Sequence, residues 1–116
     1  VIGNLETPLA GEAAGYTGYP LFNAPAQLAD AAKKAGFNIL TTANNHALDR
    51  GEKGVMRTIV NIRDRKIAST GTAGSAADAA RLLISTKNKT LGSNCFIEVC
   101  VNRIGVMSAR CIRARC

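Results

Sequence analysis

The sequence predicts an α/β fold with a mostly parallel sheet, because strand and helix patterns alternate along its first 71 residues. Apolar runs typical of buried strands occur at residues 1–6, 37–42 and 66–70, and stretches with helical spacing at 26–36 and 52–65 separate them. The order strand, helix, strand, helix, strand is typical of βαβ units. A hydrophobic content of 47% with 20% charged residues excludes a disordered chain.

The first predicted strand, residues 1–6, runs into polar residues and is closed by Pro8, since proline cannot donate a hydrogen bond to a sheet ladder. The stretch 10–25 is rich in Gly, Ala, Pro and Tyr and has no sustained period, which indicates a surface loop. A loop of this length usually has a function. Its candidate lid or rim residues are Tyr16, Tyr19 and Phe22.

The two predicted helices have apolar residues at helical spacing and recognisable ends. Pro25 precedes the first helix and Gly36 stops it, while Gly51 opens the second. The first helix repeats its apolar positions at Leu28, Ala31, Ala32 and Ala35. The second is expected to place a larger set on its inner side: Val55, Met56, Ile59, Val60 and Ile62.

Beyond the third strand the patterns are weaker. Residues 75–83 predict a short helix, and residues 85–94 predict a polar connector. Apolar runs at 95–101 and 104–109 flank Asn102-Arg103, and this two-residue spacing suggests a β-hairpin.

The net charge of +7 is unevenly distributed. Residues 1–50 hold three Lys and Arg against four Asp and Glu, whereas residues 51–116 hold twelve against four. Such an excess attracts polyanions through screened electrostatics. Nucleic acid is disfavoured as the polyanion, since no aromatic residue accompanies the arginines near the C-terminus to stack bases: Arg103, Arg110, Arg113 and Arg115.

The length of 116 residues fits one domain, which buries roughly two thirds of its unfolded surface. No apolar run approaches the ~20 residues of a membrane helix, and no signal-peptide pattern is present. The chain opens without a methionine inside a predicted strand, so we expect upstream sequence, with any targeting signal, to have been removed.

Four cysteines lie in the last quarter of the chain, and their spacing disfavours a metal site: Cys95, Cys100, Cys111 and Cys116. Zinc ribbons use tighter C-x2-C pairs, and the first two cysteines would face opposite sides of one predicted strand. One or two disulfides would suit an extracellular chain, and free or buried thiols are the default.

Polar side chains follow two of the predicted strands at the point where each strand ends. Asn4 and Glu6 lie at the end of the first, and Asn45, His46 and Asp49 follow the second. Ligands bind at the carboxyl ends of parallel strands, so these side chains lie within a few ångströms of each other if the two strands pair. Carboxylate and amide oxygens beside an imidazole suit Mn²⁺, Mg²⁺ or Zn²⁺, which would lower the pKa of a bound water. The alternative is that His46, the only histidine, is a turn residue with local hydrogen bonds.

Several segments, in this order along residues 1–71, resemble the bacterial capsule synthesis protein family, the poly-γ-glutamate biosynthesis proteins CapA/PgsA. They are Gly3-Asn4-Leu5-Glu6-Thr7-Pro8-Leu9, Ala35-Gly36-Phe37, Ala43-Asn44-Asn45-His46-Ala47-Leu48-Asp49-Arg50-Gly51, Gly54 and Ile67-Ala68-Ser69-Thr70-Gly71. The resemblance implies part of a calcineurin-like metallophosphoesterase fold, an αββα sandwich whose mostly parallel sheet is followed by a C-terminal β-hairpin.

The resemblance also implies roles for the polar residues. Asn45 matches an amide metal ligand, His46 the histidine that stabilises or protonates the leaving oxygen, and Glu6 with Asn4 the region of the bridging carboxylate. Asp49 either receives a hydrogen bond from His46 or caps the following helix. The implied cofactor is a divalent metal ion (Mn, Mg or Zn), and the implied activity of the complete protein is that of a metal-dependent phosphoesterase.

The family's upstream Gly-Asp segment and downstream histidine motifs are absent from these 116 residues. We therefore expect a partial domain over residues 1–109, inactive alone, and a basic Cys- and Arg-containing tail over 110–116. The implied partners are poly-γ-glutamate and other capsule synthesis subunits, at the extracellular face of the cell envelope, with membrane association only through missing segments. Two alternatives are a non-catalytic polyanion-binding subunit and a basic nucleic-acid-binding module.

Overall fold

A three-stranded parallel sheet forms the centre of the described structure. The computed structural model describes residues 1–80, 83–88, 94–99 and 112–115. The strands β1 (Ile2–Asn4), β2 (Ile39–Thr41) and β3 (Ala68–Thr70) pair in the order β1-β2-β3. The predicted α/β class with a parallel sheet is therefore confirmed, and the architecture is consistent with part of an αββα fold.

Two helices connect the parallel strands, as the alternating pattern predicts. Helix α1 (Gln27–Lys34) precedes β2, and helix α2 (Gly51–Asp64) lies between β2 and β3. A short helix α3 (Ala76–Ala79) follows β3. Within the ranges that the structure describes, none of the helices has the length and apolar character needed to cross a membrane.

The core lies between the sheet and the two long helices. It is formed by Leu5, Leu9, Ala29, Leu40, Ile62 and Ile67. Leu9 and Ile62 are fully buried, and burying a side chain of this kind contributes about 1.5–3 kcal/mol. The predicted inner face of α2 is only partly correct, since Met56 and Val60 are 40% and 38% exposed. The inner side of the helix is instead formed by residues that include Gly54, Val55, Thr58 and Ile62.

The loop at 10–25 contains a 3-10 helix (Glu12–Ala14) and is closed by one buried amide. The Asn23 side chain accepts a hydrogen bond from the Ala10 N–H at 2.8 Å and donates to the Gly11 and Gly15 carbonyls. A buried amide that satisfies three backbone groups holds the loop in one conformation. These bonds fix the path of the loop around Asn23, directly after Phe22.

A second sheet follows α3 and corrects two predictions. The antiparallel strands β4 (Leu83–Asn88), β5 (Asn94–Val99) and β6 (Ile112–Arg115) pair in the order β4-β5-β6. The predicted connector at 85–94 is therefore wrong at residues 85–88 and at Asn94, and the predicted helix at 75–83 ends at Ala79. The predicted hairpin around Asn102-Arg103 lies outside the described residues.

Candidate functional site

The ends of β1 and β2 bring two polar segments to one edge of the sheet. Asn4 lies opposite Thr41 in the parallel register, and the Leu5 N–H donates to the Thr41 carbonyl at 2.8 Å. Because the two strands run in the same direction, the segments that follow them leave from the same edge. Glu6 and His46 therefore meet there, as the sequence predicts.

Asn44 fixes the turn that follows β2. Its side-chain NH2 donates to the Leu5 carbonyl at 2.9 Å and lies 3.4 Å from Asn4 Oδ1. Its side-chain oxygen accepts the His46 backbone N–H at 3.0 Å, which is a local side-chain turn typical of asparagine. One amide thus joins the segment after β1 to the turn after β2 and sets the position of His46.

The His46 ring is oriented by Asp49. The Nδ1 atom lies 2.8 Å from Asp49 Oδ2, which also accepts the Phe22 backbone N–H at 2.7 Å. An ionised carboxylate only accepts hydrogen bonds, so the proton is assigned to Nδ1 and the ring presents Nε2 on its other side. This is the way in which a carboxylate commonly sets the tautomer of a histidine that acts in a site.

The Nε2 atom of His46 faces Glu6. It lies 4.0 Å from Glu6 Oε1, close enough for an ion pair when the ring is protonated. The His46 side chain is 15% exposed and the Glu6 side chain 59% exposed. The His46 ring is thus mostly buried, whereas the Glu6 carboxylate beside it is exposed to solvent.

Phe22 covers the histidine. Its ring centroid lies 4.4 Å from that of His46 at an interplanar angle of 64°, an edge-to-face contact. Tyr19 contacts Phe22 edge to face in turn, with 6.5 Å between the ring centroids and an interplanar angle of 62°. The loop at 10–25 therefore reaches the site, and Phe22 contacts it through both its ring and its backbone N–H.

The structure places the predicted site residues in three ways. Glu6, His46 and Asp49 lie together, Asn4 is connected to them through Asn44, and Asn45 is exposed on the turn. Asp49 receives the His46 ring and does not cap α2, whose N-cap is Arg50 with no side-chain cap bond. The sequence reasoning did not assign Asn44, although an asparagine two residues before the histidine is the signal for such a turn.

The donors at this corner fit a divalent ion in chemical type and supply only part of a coordination sphere. They are the Glu6 carboxylate and the Asn4 amide oxygen, which hard and borderline ions accept, with His46 Nε2 beside Glu6 and Asn45 exposed on the turn. Over the ranges given above, no group of three His, Cys, Asp or Glu side chains is arranged to hold a metal. Asp49 does not add to the set, because it binds the opposite nitrogen of the ring.

Comparison with known proteins gives one finding that bears on identity. The model of the family described as bacterial capsule synthesis protein PGA_cap matches residues 1–99, from β1 through β5. No curated protein matches the chain at a significant level. The family match covers both polar strand ends and most of the 116 residues. The chain therefore belongs to the bacterial capsule synthesis protein family.

Proposed function

We propose that the protein acts in making or exporting an anionic capsule polymer, poly-γ-glutamate, at the cell envelope, and that its Glu6 and His46 corner belongs to a metallophosphoesterase-like site. The observation that carries the site is the line of three side chains in which Asp49 orients His46 and His46 faces Glu6. A carboxylate-held imidazole beside an exposed carboxylate suits proton transfer next to a cation.

Each residue has a defined task in this proposal. Glu6, Asn4 and Asn45 would hold a Mn²⁺, Mg²⁺ or Zn²⁺ ion, with further ligands from outside this corner. Such an ion supplies Lewis acidity and activates water for attack on a phosphate ester. With both ring nitrogens protonated, His46 would donate the Nε2 proton to the leaving oxygen, while its Nδ1–H stays bound to Asp49. Asp49 keeps the ring in that orientation, and Phe22 limits the access of water to it.

The test is the hydrolysis of p-nitrophenyl phosphate with Mn²⁺ by the full-length protein. His46→Ala removes the proton donor and is expected to lower kcat by about 10²–10⁴-fold. His46→Gln keeps a side chain of similar reach but cannot supply a proton of the same acidity, so it should lose activity as well. Glu12→Gln, on the exposed loop, is the control that should keep it. Elemental analysis that finds no bound metal, with hydrolysis unchanged in His46→Ala, would remove the enzymatic proposal.

A second candidate is a non-catalytic subunit that binds the polymer. The excess of twelve Lys and Arg over four Asp and Glu in residues 51–116 favours it. It differs from the first in one outcome: polymer binding would persist in Asn45→Ala and His46→Ala. The nucleic-acid alternative has no comparable support, and the absence of a retarded band in a mobility-shift assay at moderate salt would dispose of it.

A further inference from the structure

An open cleft lies beside the Glu6 and His46 corner, between β1, α1 and the loop at 10–25. Its volume is about 560 Å³, within the range of small-molecule sites. Most of its wall is apolar and includes Leu5, Phe22, Ala24, Leu28, Phe37 and Leu40. Leu28 is 42% exposed on the solvent side of the cleft, although it is a large apolar side chain on a helix. A ligand that fills the cleft must therefore present an apolar or aromatic group.

The polar side of the same cleft connects it to the site. Asn4 and Glu6 line it together with Thr7 and Thr17, whose hydroxyls already donate to the Pro8 and Leu21 carbonyls. The Arg50 guanidinium donates to the Thr17 hydroxyl from outside the lining. Glu6 carries the only formal charge among the described residues that line the cleft. Its distance of 4.0 Å from His46 Nε2 is too long for a hydrogen bond, so Oε1 keeps the capacity to accept one.

Among ligands with the same apolar group, the negative charge of Glu6 favours those with a positively charged polar group. An anionic ligand would be repelled by the Glu6 carboxylate, and a neutral alcohol would gain a single hydrogen bond. An ammonium group would gain a charge-assisted hydrogen bond, which is about twice as strong as a neutral one. The aromatic rings of Phe22 and Phe37 in the wall add a favourable surface for a cation or for an aromatic group.

We propose that this cleft binds a small organic cation, in which an amine is attached to an apolar or aromatic group. The apolar group packs against Leu28 and Phe37, and the ammonium donates to the Glu6 carboxylate. An ammonium group and a metal ion would compete for Glu6, but binding of the amine needs neither a metal ion nor hydrolysis. It is therefore tested separately from the phosphoesterase proposal, with divalent metal ions removed.

Three probes of matched shape test the proposal: 2-phenylethylamine, 2-phenylethanol and 3-phenylpropionate. Their binding to the 116-residue chain is measured by calorimetry in the presence of EDTA, which removes divalent metal ions. The Glu6 side chain is 59% exposed, so solvent screens its charge, and we expect the amine to bind about three- to fivefold more tightly than the alcohol and the carboxylate to bind most weakly. Glu6→Gln should abolish the preference for the amine, whereas Glu12→Gln should leave it unchanged.

A second variant tests the location. Ala32, which also lines the cleft from α1, is changed to Leu to fill part of the space, and this should weaken the binding of both the amine and the alcohol. Thermal unfolding checks that each variant is folded. If Ala32→Leu does not fold, the effect of Glu6→Gln on the preference for the amine is the test of the proposal. Equal binding of amine and alcohol, a preference that survives Glu6→Gln, or no binding of the amine at millimolar concentration would overturn the proposal.

Discussion

His46 is the residue whose surroundings constrain its chemistry most. Asp49 binds its Nδ1, Asn44 accepts its backbone N–H and Phe22 packs against its ring. Two of these contacts come from residues of the same turn, and the third comes from Phe22, which is distant in sequence. Together they leave Nε2 as the ring nitrogen that faces Glu6, and they explain why a half-exposed turn can hold an imidazole in one orientation.

The first prediction concerns Asp49, whose side chain is 9% exposed and accepts two hydrogen bonds. Asp49→Ala leaves His46 Nδ1 and the Phe22 N–H without their acceptor, and each such loss costs about 1–3 kcal/mol. We expect the free energy of unfolding to fall by at least this amount in urea denaturation. Glu12→Ala, which removes an exposed carboxylate, should change it by less than about 0.5 kcal/mol. Equal effects of the two variants would contradict the role given to Asp49.

The sequence predicted correctly which residues come together where the direction of the strands determines their positions. Because the two neighbouring strands are parallel, Glu6 and His46 leave the sheet at the same edge, which is what the sequence predicts. Asn44 and the backbone contact of Phe22 could not be found in the same way. Both depend on how a turn and a long loop fold over the strand ends, and the sequence pattern gives no distance between segments that are not paired in a sheet.

At the scale of elements, a close approach between the ends of β2 and β3 supports the turn that carries the site. Gly71 follows β3 with φ +109°, and a Cβ at this position would lie 2.5 Å from the backbone nitrogen of Ala43. Ala43 comes two residues after the end of β2 and directly before Asn44. The absence of a side chain at Gly71 therefore allows the backbone that leads into the site to pass next to β3.

The second prediction compares two glycines with positive φ. Gly71→Ala combines backbone strain with a clash against Ala43, whereas Gly15→Ala at φ +70° meets no atom within 4 Å. Strain alone costs about 1–2 kcal/mol. We expect Gly71→Ala to be more destabilising than Gly15→Ala by at least about 1 kcal/mol in urea unfolding, and to shift the NMR signals of Asn44 and His46. A smaller loss of stability in Gly71→Ala than in Gly15→Ala would show that the close approach has no energetic importance.

The elements that the sequence predicted well are those with a strong local pattern. Helix α2 repeats its apolar residues at helical spacing, and its observed range differs by one residue at each end from the predicted one. The exposure of Met56 and Val60 depends on how much of the surface of helix α2 the sheet covers. The spacing of apolar residues in the sequence does not give this width. Strand β4 was missed because Ser85, Lys87 and Asn88 have low strand propensity, and its partner β5 supplies the ladder that stabilises it.

At the scale of the whole molecule, the uneven charge is the feature most relevant to a polymer partner. Helix α2 contributes exposed cations from the basic half, including Lys53, Arg57 and Arg63. An anionic chain with many charges interacts with such a surface as a whole, so its binding is weak at each position and strongly salt-dependent.

The third prediction is that the chain binds poly-γ-glutamate and that the affinity falls steeply when salt is raised from about 50 to 200 mM. Lys53→Glu with Arg57→Glu should weaken binding more than Lys33→Glu with Lys34→Glu, an equal change of charge in the first half of the chain. Fluorescence anisotropy of labelled polymer measures both effects. Binding that is insensitive to salt, or weakened equally by the two pairs, would argue against a basic surface formed by the second half.

The central claim is that the ends of β1 and β2 form one corner that binds a divalent metal ion, and NMR with Mn²⁺ tests it most directly. Substoichiometric Mn²⁺ broadens the signals of nuclei close to the bound ion. We predict broadening centred on residues 4–6 and 44–49, lost in Glu6→Gln and retained in Glu12→Gln. Broadening centred elsewhere in the chain, no broadening at all, or a pattern that Glu6→Gln does not change would contradict the claim.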